Sequence, residues 1–100
     1  MRSSINPKLK KIESRTYVIG REGHIYLSDP AVSKRHAEIH IIGGQIYLRD
    51  LDSTNGIYLV KNHKLTPFRK GYVQANQSIV LGNRRYTIKN LLKIAGAFAA

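Results

Sequence analysis

Three short segments of this 100-residue chain hold side chains able to do chemistry: Ile19-Gly20-Arg21, Ser33-Lys34-Arg35-His36, and Asp50 to Gly56, which contains Ser53, Thr54 and Asn55. Two chemistries fit them. As an anion site, Arg21, Lys34 and Arg35 supply charged donors, and Ser33, Thr54 and Asn55 supply neutral ones. Backbone N–H groups in turns beside Gly20 and Gly56 would add more. As a hydrolase, Ser33 would be the nucleophile, His36 its base and Asp50 the group orienting the base. The second arrangement has no G-x-S-x-G frame, nucleotide loop or metal cluster around it, so no enzymatic activity is expected. Each residue also has a bland reading. Ser33 is then a turn cap, His36 a buried histidine bonded to loop backbone, and Lys34 an ordinary solvated base.

The elements that must position these segments read as strands. Thr16–Ile19, Ile25–Leu27, His36–Ile42, Gln45–Asp50, Ile57–Val60, Ser78–Leu81 and Tyr86–Ile88 are β-branched or aromatic runs. Gly43-Gly44 reads as a hairpin turn, Lys61–Lys64 as another tight turn, and Gly82–Arg85 as the link between the last two strands. Strand-sized runs this close together predict an all-β sandwich or barrel. Asn90–Ala100 is a candidate short helix, weakened by Gly96. Each of the three segments falls at a strand end, and therefore in a loop.

Composition narrows the class. Hydrophobic residues make up 42%, enough for a core. There is no Cys, which excludes a disulfide scaffold and a thiolate metal site, and the four His are scattered, so neither metal nor cofactor is expected. No apolar run reaches the roughly 18 residues of a membrane span, and no hydrophobic stretch follows the N-terminal charges, so a cytoplasmic location is expected. Lys and Arg number 17 against six acids, for a net charge of +11. Residues 53–100 carry eight bases and no acid. That imbalance favours an anionic partner, with nucleic acid among the candidates. No run of the sequence interleaves bases with aromatics as single-strand stacking demands.

Gly20-Arg21, Val32 to Ala37 (Val-Ser-Lys-Arg-His-Ala) and Ser53 to Gly56 with Tyr58, in this order and spacing, resemble the three motifs of the forkhead-associated (FHA) domain. Ile79–Gly82 fits the closing strands of that family. The resemblance covers about residues 16–89. It implies an FHA/SMAD-like β-sandwich of about eleven strands that binds phosphothreonine in an extended peptide and catalyses nothing. Residues 1–15 are then a basic N-terminal segment containing the start of a first strand, and residues 90–100 a C-terminal segment. Carried over to this chain, Arg21 and Ser33 contact the phosphate, Lys34 and Thr54 assist, and Asn55 holds the peptide backbone. Gly20, His36 and Gly56 shape the loops. Arg35, Arg84 and Arg85 are candidates for reading peptide positions beyond the phosphothreonine. His24 departs from the acidic residue or Asn usual at its place, and Gln74 to Ser78 lacks the common Gly-Asp. The alternatives to a phosphothreonine module are a basic nucleic-acid-associated domain and a scaffold that binds partners without phosphate.

Overall fold

The computed structural model describes residues 14–97. In chain order the elements are β1 (Ser14–Gly20), β2 (Ile25–Tyr26), β3 (Ala37–Ile42), β4 (Gln45–Asp50), β5 (Ile57–Lys61), β6 (Lys64–Phe68), β7 (Lys70–Val73), β8 (Ser78–Leu81), β9 (Arg84–Thr87) and α1 (Ile88–Ile94). They form a five-stranded sheet in the order β2-β1-β3-β4-β7 and a four-stranded sheet in the order β6-β5-β8-β9. The β1–β2 pair is parallel and the others are antiparallel.

Alternation along the strands builds the core. Ile19, Ile39 and Leu48 point inward from one sheet, and Ile57, Leu59, Ile79 and Leu81 from the other, all buried. Ile88, Leu91 and Leu92 bring the apolar face of α1 into the same cluster. The helix contacts β2 and β9 and so closes one side of the sandwich. On the other side, β6 passes to β7 through the single residue Arg69.

Register fixes which loops meet. Ile19 pairs with Ala37 and Ala37 with Asp50 in the first sheet. Ile57 pairs with Leu81 and Leu81 with Arg84 in the second. The β4–β5 connection joins these two rows, so the connections after β1, before β3, between β4 and β5, and between β8 and β9 gather at one end. Ser14, Ile42, Gln45, Lys61 and Lys64 lie at the opposite ends of their strands.

The sandwich is as the sequence predicts, with differences in detail. Among the described residues there are nine strands rather than about eleven, and residues 27–36 meet the end of β1 through single backbone bonds without forming strands. β6 and β7 are not readable as strands: β6 lies at a sheet edge with four exposed residues and contains Pro67. Arg84 and Arg85 belong to β9, not to the turn. The helix begins at Ile88 instead of Asn90, because extended Thr87 caps it and accepts the Asn90 N–H at 3.1 Å. No helix among the described residues is long and apolar enough to cross a membrane. Residues 1–13 of the basic N-terminal segment 1–15, and the last residues, 98–100, lie outside the described residues.

Candidate functional site

At the loop end, Arg21, Ser33, Lys34, Thr54 and Asn55 line one open cleft together with Pro30, Ala31 and Val32. All five residues expected to hold a phosphopeptide are therefore neighbours, although they come from three separate connections.

The β1 end is packed against the second segment. Arg21 N–H donates to Ser33 O and Glu22 N–H to Lys34 O. This backbone approach is close enough that a Cβ on Gly20 would sit 2.1 Å from Lys34 O, so only glycine fits. Arg21 Nε donates to Val32 O at 2.6 Å, which aims the guanidinium along the cleft and leaves its Nη groups without a partner among the described residues. Lys34 lies 3.9 Å from Glu22, with 65% of its side chain exposed, an arrangement that leaves the ammonium free to move to another anion.

His36 is fully buried and fixes the relation between the second and third segments. Its Nδ1 accepts the Ser33 N–H at 3.0 Å, so its Nε2 carries the proton donated to Gly56 O at 2.8 Å. Gly56 sits at φ +75, a conformation that a glycine adopts without strain. Asp50 holds the other side of that loop. It accepts both the N–H and the hydroxyl of Ser53, and Ser53 Oγ in turn accepts the Gly56 N–H at 2.9 Å. Two cross-loop bonds complete the frame: Thr54 N–H donates to Ser33 Oγ at 3.1 Å, and Asn55 Nδ2 donates to Ala31 O at 2.9 Å. The hydrolase arrangement is thus not assembled. Both ring nitrogens of His36 are taken by backbone, and Asp50 serves Ser53.

Behind Pro30 lies a second groove, lined among others by Tyr26, Asp29, Asn83, Arg84, Tyr86 and Ile94. Asp29 joins its two walls. The carboxylate accepts the Asn83 N–H at 2.6 Å, the Ala31 N–H at 2.8 Å and Asn83 Nδ2 at 2.9 Å. The hydrogen bond from the Asn83 backbone, then that from Ala31, holds the Asp29 carboxyl below its ordinary range. Burial, the larger influence, raises the pKa of the Tyr86 hydroxyl. Arg84 reaches this groove, whereas Arg85, the next residue on the strand, is opposite Val80 and belongs to the other face of its sheet. Arg35 is exposed and lines neither space.

The sequence reading missed Asp29, Asn83 and the bracing roles of Asp50 and Ser53. Asp29-Pro30 is a turn signal, but nothing local shows that the turn reaches Asn83, 54 residues away. His24, the departure noted above, accepts the Val18 N–H through Nδ1 at 3.0 Å, so an imidazole fills the acceptor role there.

The two-sheet sandwich thus brings cation and hydroxyl donors from three loops together at one end. Residues 17–82 match the model of the FHA domain, and the chain belongs to the FHA domain family. Among solved structures it is similar to a chain from a study of phosphothreonine-dependent FHA domain interactions, with 32% identity over 70% of this chain and 71% of that one and a TM-score of 0.62. The FHA domain of FhaA, solved with the intracellular domain of Rv3910, is 31% identical over 75% of this chain and 80% of its own, with a TM-score of 0.64. The FHA domain of the CT664 protein from Chlamydia trachomatis is 29% identical over 73% of each chain, with a TM-score of 0.58. A search of curated proteins gave no match.

Proposed function

We propose that this chain binds phosphothreonine in extended segments of other proteins and so makes their association depend on a Ser/Thr kinase. The observation that carries this reading is the convergence of Arg21, Ser33, Lys34, Thr54 and Asn55 on one cleft braced by His36 and Asp50. The Arg21 Nη groups and the Ser33 hydroxyl take the phosphate oxygens, with Lys34 and Thr54 assisting. The Asn55 side chain holds the peptide backbone just beyond. A phosphothreonine brings about −1.5 to −2 charges and three strong acceptors, whereas the unmodified residue brings a single hydroxyl. Residues 16–89 form the functional unit in this reading, residues 1–15 and 90–100 are appendages to it, and the cytoplasm, where kinases and their substrates meet, is its location.

Calorimetry with a phosphothreonine peptide and its unphosphorylated twin tests the reading. The phosphorylated form alone binds. Arg21→Ala weakens it at least about tenfold, since a hydrogen bond to a charged group is worth about 1.5–3 kcal/mol. A folded Arg21→Ala protein with unchanged affinity overturns the assignment.

The groove behind Pro30 supports a finer specificity. A peptide leaving the cleft over Pro30 meets Arg84 beside Asn83, so an acidic or polar residue three positions C-terminal to the phosphothreonine is favoured. Arg35 and Arg85 lie outside this groove and contribute less. The preference is modest, about 0–1 kcal/mol, because the pair is exposed to solvent and salt. An oriented phosphothreonine peptide library reads it as acidic enrichment at that position, lost in Arg84→Ala and kept in Arg85→Ala.

A further inference from the structure

The outer face of the five-stranded sheet assembles what no stretch of the sequence contains. On that face Thr16, His40, Tyr47 and Tyr72 stand in one row across β1, β3, β4 and β7. The rings of Tyr47 and Tyr72 meet edge to face with centroids 5.1 Å apart, and His40 and Tyr47 follow at 6.1 Å. Tyr72 is 64% exposed, the most open of the large apolar side chains among the described residues. The next row holds Glu38, Arg49 and Lys70. Glu38 is the one carboxylate on this face among the described residues, and it is already engaged by Arg49 and His40, each at 3.0 Å. Burial acts to raise the Glu38 pKa, but the hydrogen bonds from Arg49 and His40 outweigh it and keep the carboxyl below its ordinary value. Lys70 is exposed and forms no ion pair among the described residues, and it shares a surface pocket with Arg49, Asp50 and Asp52, the last paired with Arg69.

We propose that this face binds single-stranded nucleic acid, with bases stacking on Tyr47 and Tyr72 and phosphates meeting Lys70 and Arg49. The open ring of Tyr72, with half-buried Tyr47 edge-on beside it on the adjacent strand, offers a stacking face to unpaired bases, whose π-faces a duplex would hide. The surrounding charge is complementary. The chain carries +11 overall, and Arg49 and Lys70 stand on this face itself. The face is separate from the phosphate cleft, which lies on the connections at the loop end, so phosphopeptide and nucleic acid can be held together.

Fluorescence anisotropy of the whole protein with a labelled oligothymidylate of about 15 nucleotides tests the proposal. Binding is expected that weakens with salt and exceeds that of a duplex of equal length. Tyr47→Ala/Tyr72→Ala weakens it about tenfold or more, Tyr47→Phe/Tyr72→Phe restores most of it, and phosphopeptide binding is unchanged throughout. Should the double alanine variant fail to fold, Tyr72→Ala alone, which removes an exposed ring, is expected to cost about fivefold, and Lys70→Glu to weaken binding further at low salt. Four outcomes overturn the proposal: affinity unchanged in the folded alanine variants, equal affinity for the duplex, displacement of the oligonucleotide by phosphopeptide, or equal binding of dextran sulfate, which has charge and no bases.

Discussion

The two ends of the sandwich are built differently. At the far end, β3 turns into β4 through Gly43-Gly44, and β5 into β6 through Asn62-His63. These are two-residue hairpins whose geometry is contained in their own backbone. At the cleft end, no loop stands alone. Ser33, Ala31, Thr54, Asn55 and Gly56 are tied across the β2–β3 and β4–β5 connections, and Asp29 reaches on to Asn83 before β9. A hairpin needs only to reverse the chain, so backbone suffices. A cleft must hold donors from three loops in fixed relation, and here buried and bridging polar side chains do that. Changes at the cleft end should therefore alter fold and binding together, and changes at the far end should alter stability alone.

The largest expected effect is His36→Ala. It leaves the Ser33 N–H and the Gly56 carbonyl without their partner inside the protein, at about 1–3 kcal/mol each. Thermal melting should fall by several degrees and phosphopeptide affinity should collapse with it. A variant that melts normally yet loses binding would break the comparison. A second effect comes with acid. The Asp29 carboxyl is depressed in the folded protein, so its tether is fully formed above the ordinary 3.8 and is lost as pH falls through the lower folded value. The Asn83 amide followed by NMR should titrate with a midpoint below 3.8. A midpoint at or above that value would mean that the two loops are not joined through this group. The smallest effect belongs to the far end. His63 sits at φ 65, where a side chain is strained. His63→Gly should leave phosphopeptide affinity untouched in calorimetry and change the melting temperature by only a few degrees, upward where relief of strain exceeds the added entropy of the unfolded chain. Altered affinity would show that the ends are coupled.

What could be read in advance follows the same division. Strands with one face in the core, such as Gln45–Asp50 and Ser78–Leu81, alternate clearly and were bounded correctly from the sequence. The edge strands β6 and β7 bury little, so no alternation marks them, and they contain Pro67 and Gly71, residue types uncommon inside strands. In the cleft, the five lining residues were legible because each sits in a short local motif. The Asp29–Asn83 tie and the row of Tyr47 and Tyr72 were not, because they exist only through pairings between distant segments. Arg84 and Arg85 look equivalent as neighbours in a sequence, and strand alternation sends them to opposite faces.

The edges of the two sheets bear on the proposed function. An extended peptide finds its easiest home along an unpaired strand, where backbone bonds accept almost any sequence. Here β2 is only two residues long, and both it and β9 lie against α1. β6 carries Pro67, which has no N–H to offer, and β7 has four residues. With so little edge to lie along, a passing extended segment gains almost nothing from its backbone alone. Under the function proposed above, engagement falls to the loops, and an unphosphorylated segment has little on these edges to replace what the cleft offers a phosphate.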